Sequence, residues 1–231
     1  MWDRLINLMK NQDTIEGIAG IADVSEKIEK PPKVFVPPDD AITVVEERED
    51  IFKEISDDLM VDPNLLRAFV KVEAGGRNFD DTRRVILRWE THIFKRYTGI
   101  TINVHGGRSI QDNEWEAFIR ASEKLQGGKY NDKAIMSSSW GIGQIMGFHY
   151  KRLKFDAPEQ LRDFISESKE NGLRAIGKFI STSKALLKAC RERNYHLIAS
   201  YYNGKKYKKY AVNGIDYAMK IEKEYMRLIA A

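Results

Sequence analysis

Glu73 is the residue of this chain whose surroundings best suit acid chemistry. In the stretch Val61-Asp-Pro-Asn-Leu-Leu-Arg-Ala-Phe-Val-Lys-Val-Glu73-Ala-Gly-Gly76, the apolar positions Leu66, Phe69 and Val70 stand seven, four and three residues before the glutamate. Helical periodicity therefore places its carboxyl on the apolar face. Desolvation there disfavours the charged form, and the negative C-terminal end of the helix disfavours an anion as well. A carboxyl held in this way keeps its proton near neutral pH and can hand it to a leaving oxygen, as general acid cleavage of a glycosidic bond requires. On spacing alone the commoner alternative stands beside it, in which a buried arginine or a neighbouring loop takes up the glutamate. Glu90, in Leu87-Arg-Trp-Glu-Thr-His92, is the best second carboxylate, since it ends a predicted strand and would suit a base that activates water. Pairing with Arg88 or capping the next helix accounts for it equally well. Asp80 and Asp81, in the loop after Glu73, are weaker candidates for that role. His92, His105, His149 and His196 are scattered, with neither metal-ligand spacing nor a paired nucleophile, so no metal site and no serine or cysteine triad is indicated.

The elements that must position these groups read as mostly helical. Ile51, Phe52, Ile55 and Leu59 fall at helical spacing, and the next helix starts with Asp62 as N-cap and Pro63 at the first helical position, then stops at Gly75-Gly76. Val85, Leu87 and Trp89 alternate with Ile86 and Arg88, which predicts a strand. Trp115, Phe118, Ile119 and Ser122 predict a helix ended by Gly127-Gly128, and Asp156 with Glu159 resembles a capping box around Pro158. Apolar stripes at Leu161 to Ile165, Leu173 to Ile180, Leu186 to Cys190 and Met219 to Ile229 predict further helices. Four of the six prolines are Pro31, Pro32, Pro37 and Pro38, which predicts an extended linker. Residues 1–40 are thus expected to form an amphipathic N-terminal segment and linker, and 41–231 the body. Residues 1–30 are candidates for docking on that body or for a weak membrane or partner contact.

The chain has 231 residues, 42% hydrophobic and 31% charged, which suits one domain with an accessory segment rather than a disordered or membrane-spanning chain. No apolar run approaches the roughly 20 residues of a membrane span, and the start of the chain lacks the apolar core of a signal peptide. Synthesis in the cytoplasm is expected. The single cysteine, Cys190, cannot form an internal disulfide. Charge is unevenly spread. Glu46 to Asp58 holds seven acids against Arg48 and Lys53, whereas Lys169 to Lys209 holds eleven Lys and Arg against Glu170 and Glu192. Such a basic stretch favours an anionic polymer, although a solvated helix face is the commoner explanation. The Lys205, Lys206, Lys208, Lys209 cluster is too slight a signature for nucleic acid.

Two further motifs are Ser137-Ser-Ser-Trp-Gly-Ile-Gly-Gln-Ile-Met-Gly147 and Tyr201-Tyr-Asn-Gly204. Glycines at 141, 143 and 147 would let backbone approach a ligand, and Gln144 offers a donor and an acceptor to an acetamido group. A plain glycine-rich turn is the alternative. The glycine spacing fits neither a dinucleotide fingerprint nor a P-loop, and no cofactor is expected. Together with the Glu73 helix and the Trp89-Glu90 pair, these motifs resemble the N-acetylmuramidase domain of bacteriophage endolysins over roughly Ala41 to Ala231. Ala74 stands where that family usually has serine, and Trp89 where it has phenylalanine. Related patterns occur in goose-type lysozymes and lytic transglycosylases.

The resemblance implies an α+β, mainly α-helical, lysozyme-like fold with a small β-region and a substrate groove between lobes. It implies peptidoglycan as partner, a monomer acting on the bacterial wall, and cleavage between N-acetylmuramic acid and N-acetylglucosamine with Glu73 as acid. Trp140 would pack on a sugar face, and Tyr202 and Asn203 would line the groove. The alternatives are a lytic transglycosylase, which releases 1,6-anhydro products, and a non-catalytic wall-binding or virion protein.

Overall fold

The computed structural model describes residues 49–125 and 130–230; the N-terminal segment, its proline-rich linker and Gly127-Gly128 lie outside the described residues. The expected mainly helical α+β class holds, with ten α-helices and one three-stranded sheet among the described residues.

Helix α1 (Glu49–Leu59) buries Ile55 and Leu59, and α2 (Pro63–Ala74) buries Leu65, Leu66, Ala68, Phe69 and Val70. Each large side chain so buried contributes about 1.5–3 kcal/mol. The start and stop of α2 follow from local chemistry. Asp62 accepts the Asn64 N–H at 2.8 Å, Pro63 occupies the first turn, and Gly75 takes the left-handed conformation at φ 65°, where a side chain would be strained. The last helix, α10 (Tyr217–Ile229), lies along α2 and is tied to its start by a bond from the Tyr225 hydroxyl to Asp62 Oδ2 at 2.7 Å.

Strand β1 (Leu87–Trp89) pairs antiparallel with β2 (Ser138–Trp140), which pairs with β3 (Ile145–Met146). The register sets Leu87 opposite Trp140 and Trp89 opposite Ser138. One edge of β1 would be left unpaired. Helix α4 (Ile110–Lys124) covers it with side chains: Gln111 exchanges two 3.0 Å bonds with the Leu87 N–H and C=O, and Glu114 Oε2 accepts the Trp89 N–H at 2.6 Å. Short α3 (Thr91–Thr98) and α5 (Asp132–Met136) flank the sheet.

Helices α6 (Pro158–Glu167), α7 (Lys169–Ser181), α8 (Lys184–Arg191) and α9 (Tyr195–Tyr202) complete the second half. The expected Asp156–Glu159 capping box is corrected: Ala157 is the N-cap of α6, Glu159 pairs with Arg162 at 2.9 Å, and Gln160 reaches back to accept the Asp156 N–H at 3.0 Å. Asn78, 2% exposed, joins the two halves. Its Nδ2 donates to Ile165 O at 2.9 Å and its Oδ1 accepts the Ile142 N–H at 2.9 Å. The loop after Glu73, the β2–β3 turn and the α6–α7 junction are therefore held by one amide.

Candidate active site

A cleft of about 490 Å³ opens where the end of α2 meets β1 and the start of α4. Its lining includes Glu73, Arg77, Asp80, Asp81, Arg84, Arg88 and Glu114 from the first half of the chain and Gln144, Asn203, Tyr207, Tyr210, Tyr217 and Lys220 from the second.

Glu73 projects from the last turn of α2 into this cleft. The Tyr217 hydroxyl, at the start of α10, donates to its Oε1. Burial raises the Glu73 carboxyl from 4.5 to about 7, and the Tyr217 hydrogen bond and the Arg88 charge, which favour the anion, offset only part of that rise. The outcome is a carboxyl that shares its time between acid and anion near neutrality. Tyr202 lies beneath it rather than in the cleft lining. Its hydroxyl donates to Gly143 O at 2.7 Å and its ring meets Phe69 and Phe179 edge-on at 5.0 and 5.1 Å. Burial, then the nearby Glu73 charge, keeps its phenol well above 10.

Of the other residues singled out from sequence, Gln144 and Asn203 line the cleft. The Gln144 amide is pinned, accepting from Ser139 Oγ at 3.0 Å and donating to Gly141 O at 2.9 Å. One amide hydrogen and further lone-pair capacity remain for a ligand. Trp140 requires a correction. It is fully buried, its Nε1 donates to Ile135 O at 3.1 Å, and its ring packs edge-on against Trp115 and Phe118, so no sugar can reach it. The glycines beside it also face inward. A Cβ on Gly141 would stand 2.3 Å from Ile165 Cγ2, on Gly143 2.5 Å from Ile176 Cγ1, and on Gly147 2.1 Å from Ile135 O. They permit tight packing rather than close approach to a ligand.

Glu90 is not brought into the cleft lining. It sits at the N-cap position of α3 without making a side-chain cap and pairs with Arg88 at 3.4 Å and His92 at 3.3 Å. The salt-bridge alternative is the arrangement found, because the strand turns Arg88 toward both the cleft and Glu90. Asp80 lines the cleft, but its oxygens already accept from Thr82, from the Arg84 N–H and from Arg84 Nε. Arg84 continues to Asp112 at 2.5 Å, which braces the loop after Glu73 against the start of α4. Asp81 is exposed and holds Arg77 at 3.2 Å.

Two site residues escaped the sequence reading. Glu114, 8% exposed, lines the cleft, and burial raises its carboxyl to about 7 against the Trp89 N–H and Arg88, with Glu90 pushing the same way as burial. Ala117, Phe118 and Ala121 follow it at three, four and seven residues, the mirror image of the pattern that marked Glu73, so the same signal was available. Tyr217 lies 144 residues from Glu73, and no local pattern announces it. Among the described residues no group of three or more His, Cys, Asp or Glu is placed to hold a metal ion.

A family model described as N-acetylmuramidase matches residues 62–229. A crystal structure of a Burkholderia AP3 phage endolysin is similar to this chain with a TM-score of 0.63 and 27% identity, covering 78% of this chain and 71% of that one. No curated protein sequence matches. The lysozyme-like fold expected from the motifs is therefore the fold this chain has.

Proposed function

The chain belongs to the N-acetylmuramidase family, a group of peptidoglycan hydrolases, and from that premise we propose that it cleaves the glycan between N-acetylmuramic acid and N-acetylglucosamine with Glu73 as general acid. The observation that carries this reading is the placement of Glu73: a carboxyl at the end of an apolar helix face, in a cleft, held by Tyr217 and raised to about 7. Protonated, it gives its proton to the glycosidic oxygen as the bond breaks, and the resulting anion is met by the Tyr217 hydroxyl and the Arg88 charge, both of which favour the charged form. The acid is therefore poised between its two states, which is where proton transfer in both directions is most effective. Gln144 and Asn203 supply amides along the same cleft and suit the acetamido groups of both sugars.

For the second step, Asp81 and Glu114 are the cleft carboxylates with capacity left to orient water, since Asp80 is saturated by its own loop, Asp112 is taken by Arg84 and Ser109, and Glu90 lies outside the lining, paired with Arg88. Because the expected second carboxylate is tied up outside the cleft, a second reading is supported: attack by the muramyl 6-hydroxyl, giving 1,6-anhydro products without water. Mass spectrometry of fragments released from purified peptidoglycan separates the two. Hydrolysis yields reducing muramic acid ends, whereas transglycosylation yields fragments lighter by one water. Loss of both by Glu73→Gln with the fold intact is the expected outcome, and full activity of that variant ends the assignment of Glu73. The site of action that follows is the bacterial cell wall, and among the described residues no helix is long and apolar enough to cross a membrane.

A further inference from the structure

We infer that residues 205–210 form a basic lip at the cleft mouth that binds the carboxylates of the peptide stems carried by the glycan strand in the cleft. This rests on the glycan reading above.

The lip is anchored, not loose. Gly204 turns the chain at φ 98°, and Tyr207–Tyr210 then forms a 3₁₀ turn. With three residues per turn, Tyr207 and Tyr210 share one face, and both line the cleft. Tyr207 is 6% exposed, packs with Ala199 and Ala218, and bonds through its hydroxyl to His196 Nδ1 at 2.8 Å. Lys208 and Lys209 consequently fall off the tyrosine face of the turn, and Lys205 and Lys206 precede it directly in the chain. All four are exposed, and none has an ion-pair partner among the described residues. Lys220, which lines the cleft, is also without one among them.

The cleft residues from the first half of the chain are arranged on another plan. Arg77, Arg84 and Arg88 are each held by a carboxylate, Asp81, Asp80 with Asp112, and Glu90 respectively. Three fixed cations there meet four carboxylates, leaving no free positive charge, while the lip presents uncompensated positive charge. Four like charges within five residues repel one another, and a bound anion relieves that repulsion. The sugars of a stem-bearing strand offer no such anion, since the lactyl carboxyl of each muramic acid is tied up in the amide to its stem. In the peptidoglycan repeat the acidic groups are the carboxylates of the peptide on each muramic acid, so a strand seated against Tyr207 and Tyr210 brings them to the lysines.

The test compares the full-length protein with the K205Q/K206Q/K208Q/K209Q variant and with the corresponding fourfold Lys→Arg variant. The substrates are purified peptidoglycan with intact stems and the same glycan after an amidase has removed them and the lactyl carboxylates this exposes on muramic acid have been capped as neutral methylamides. At low ionic strength the Gln variant is expected to lose about ten-fold or more in kcat/KM on the stem-bearing strand, with a flatter salt dependence. Its activity on stem-free glycan should match the wild type, and the Arg variant should retain both activities. Equal loss on both substrates, or no loss on either, overturns the lip. If stripping phosphate polymers from the peptidoglycan removes the salt dependence while the stems remain, the lysines bind phosphate instead and the inference also fails. A wild-type protein that cleaves neither substrate overturns the proposed function itself, a result distinct from failure of the lip alone.

Discussion

Replacing Glu73 with Gln should make the protein more stable above neutral pH while removing its acid. Burial raises the Glu73 carboxyl from 4.5 to about 7, so between those values the unfolded chain has released a proton that the folded chain retains. Wild-type stability therefore falls as pH rises from about 4.5 to about 7, and the loss is complete above it. At 1.36 kcal/mol per pH unit, the rise amounts to about 3 kcal/mol. Part of the side chain reaches solvent, so this figure is an upper bound. Gln has the same shape, never ionises, and keeps an oxygen to accept the Tyr217 hydroxyl. Urea denaturation of both proteins from pH 4.5 to 8.5 is the assay. The expected result is near equality at the acidic end and an advantage for Glu73→Gln growing to at most about 3 kcal/mol at pH 8.5. A difference that stays constant with pH, or a wild type that gains relative stability as pH rises, would refute the buried-acid argument.

Tyr217→Phe removes a donor that favours the Glu73 anion, so the descending alkaline limb of the pH–activity profile should move to higher pH, and stability should fall by about 1 kcal/mol; a limb that stays put contradicts this. Gly143→Ala puts a Cβ 2.5 Å from Ile176 Cγ1 and should cost about 1–3 kcal/mol by overpacking, read as a lower thermal midpoint. Trp140→Phe opens a gap in the core and should destabilise by about 1–2 kcal/mol while leaving KM for peptidoglycan unchanged; a raised KM with unaltered stability would return Trp140 to the binding surface.

What was legible in the sequence was mostly local. Asp62, Pro63 and Gly75 act on their own turn of backbone, so the start and stop of the Glu73 helix could be read without the fold. The same holds for the apolar positions that turn Glu73 inward, and for the alternation that marks β1. The failures share a cause, which is that a motif states residue types and not the direction they face. Trp140 and the glycines of its motif look like ligand-binding chemistry, yet the turn between β2 and β3 is packed under α6 and α7, so close approach serves the core. Glu90 ends the strand as expected, but only the position of Arg88 decides that it pairs there. The Tyr217 contact needs α10 laid along α2, an arrangement no short window contains. Asn78 was passed over because its three partners come from segments far apart in sequence.

The most direct measurement is titration of the Glu73 side-chain carboxyl by carbon-13 NMR, assigned as the glutamate signal lost in Glu73→Gln. A midpoint near 7 is expected, with Glu114 titrating in the same region and the two told apart by that variant. A Glu73 midpoint at the ordinary 4.5 would mean the proton is gone before neutral pH, and the chain would have no acid to give to the glycan at that position.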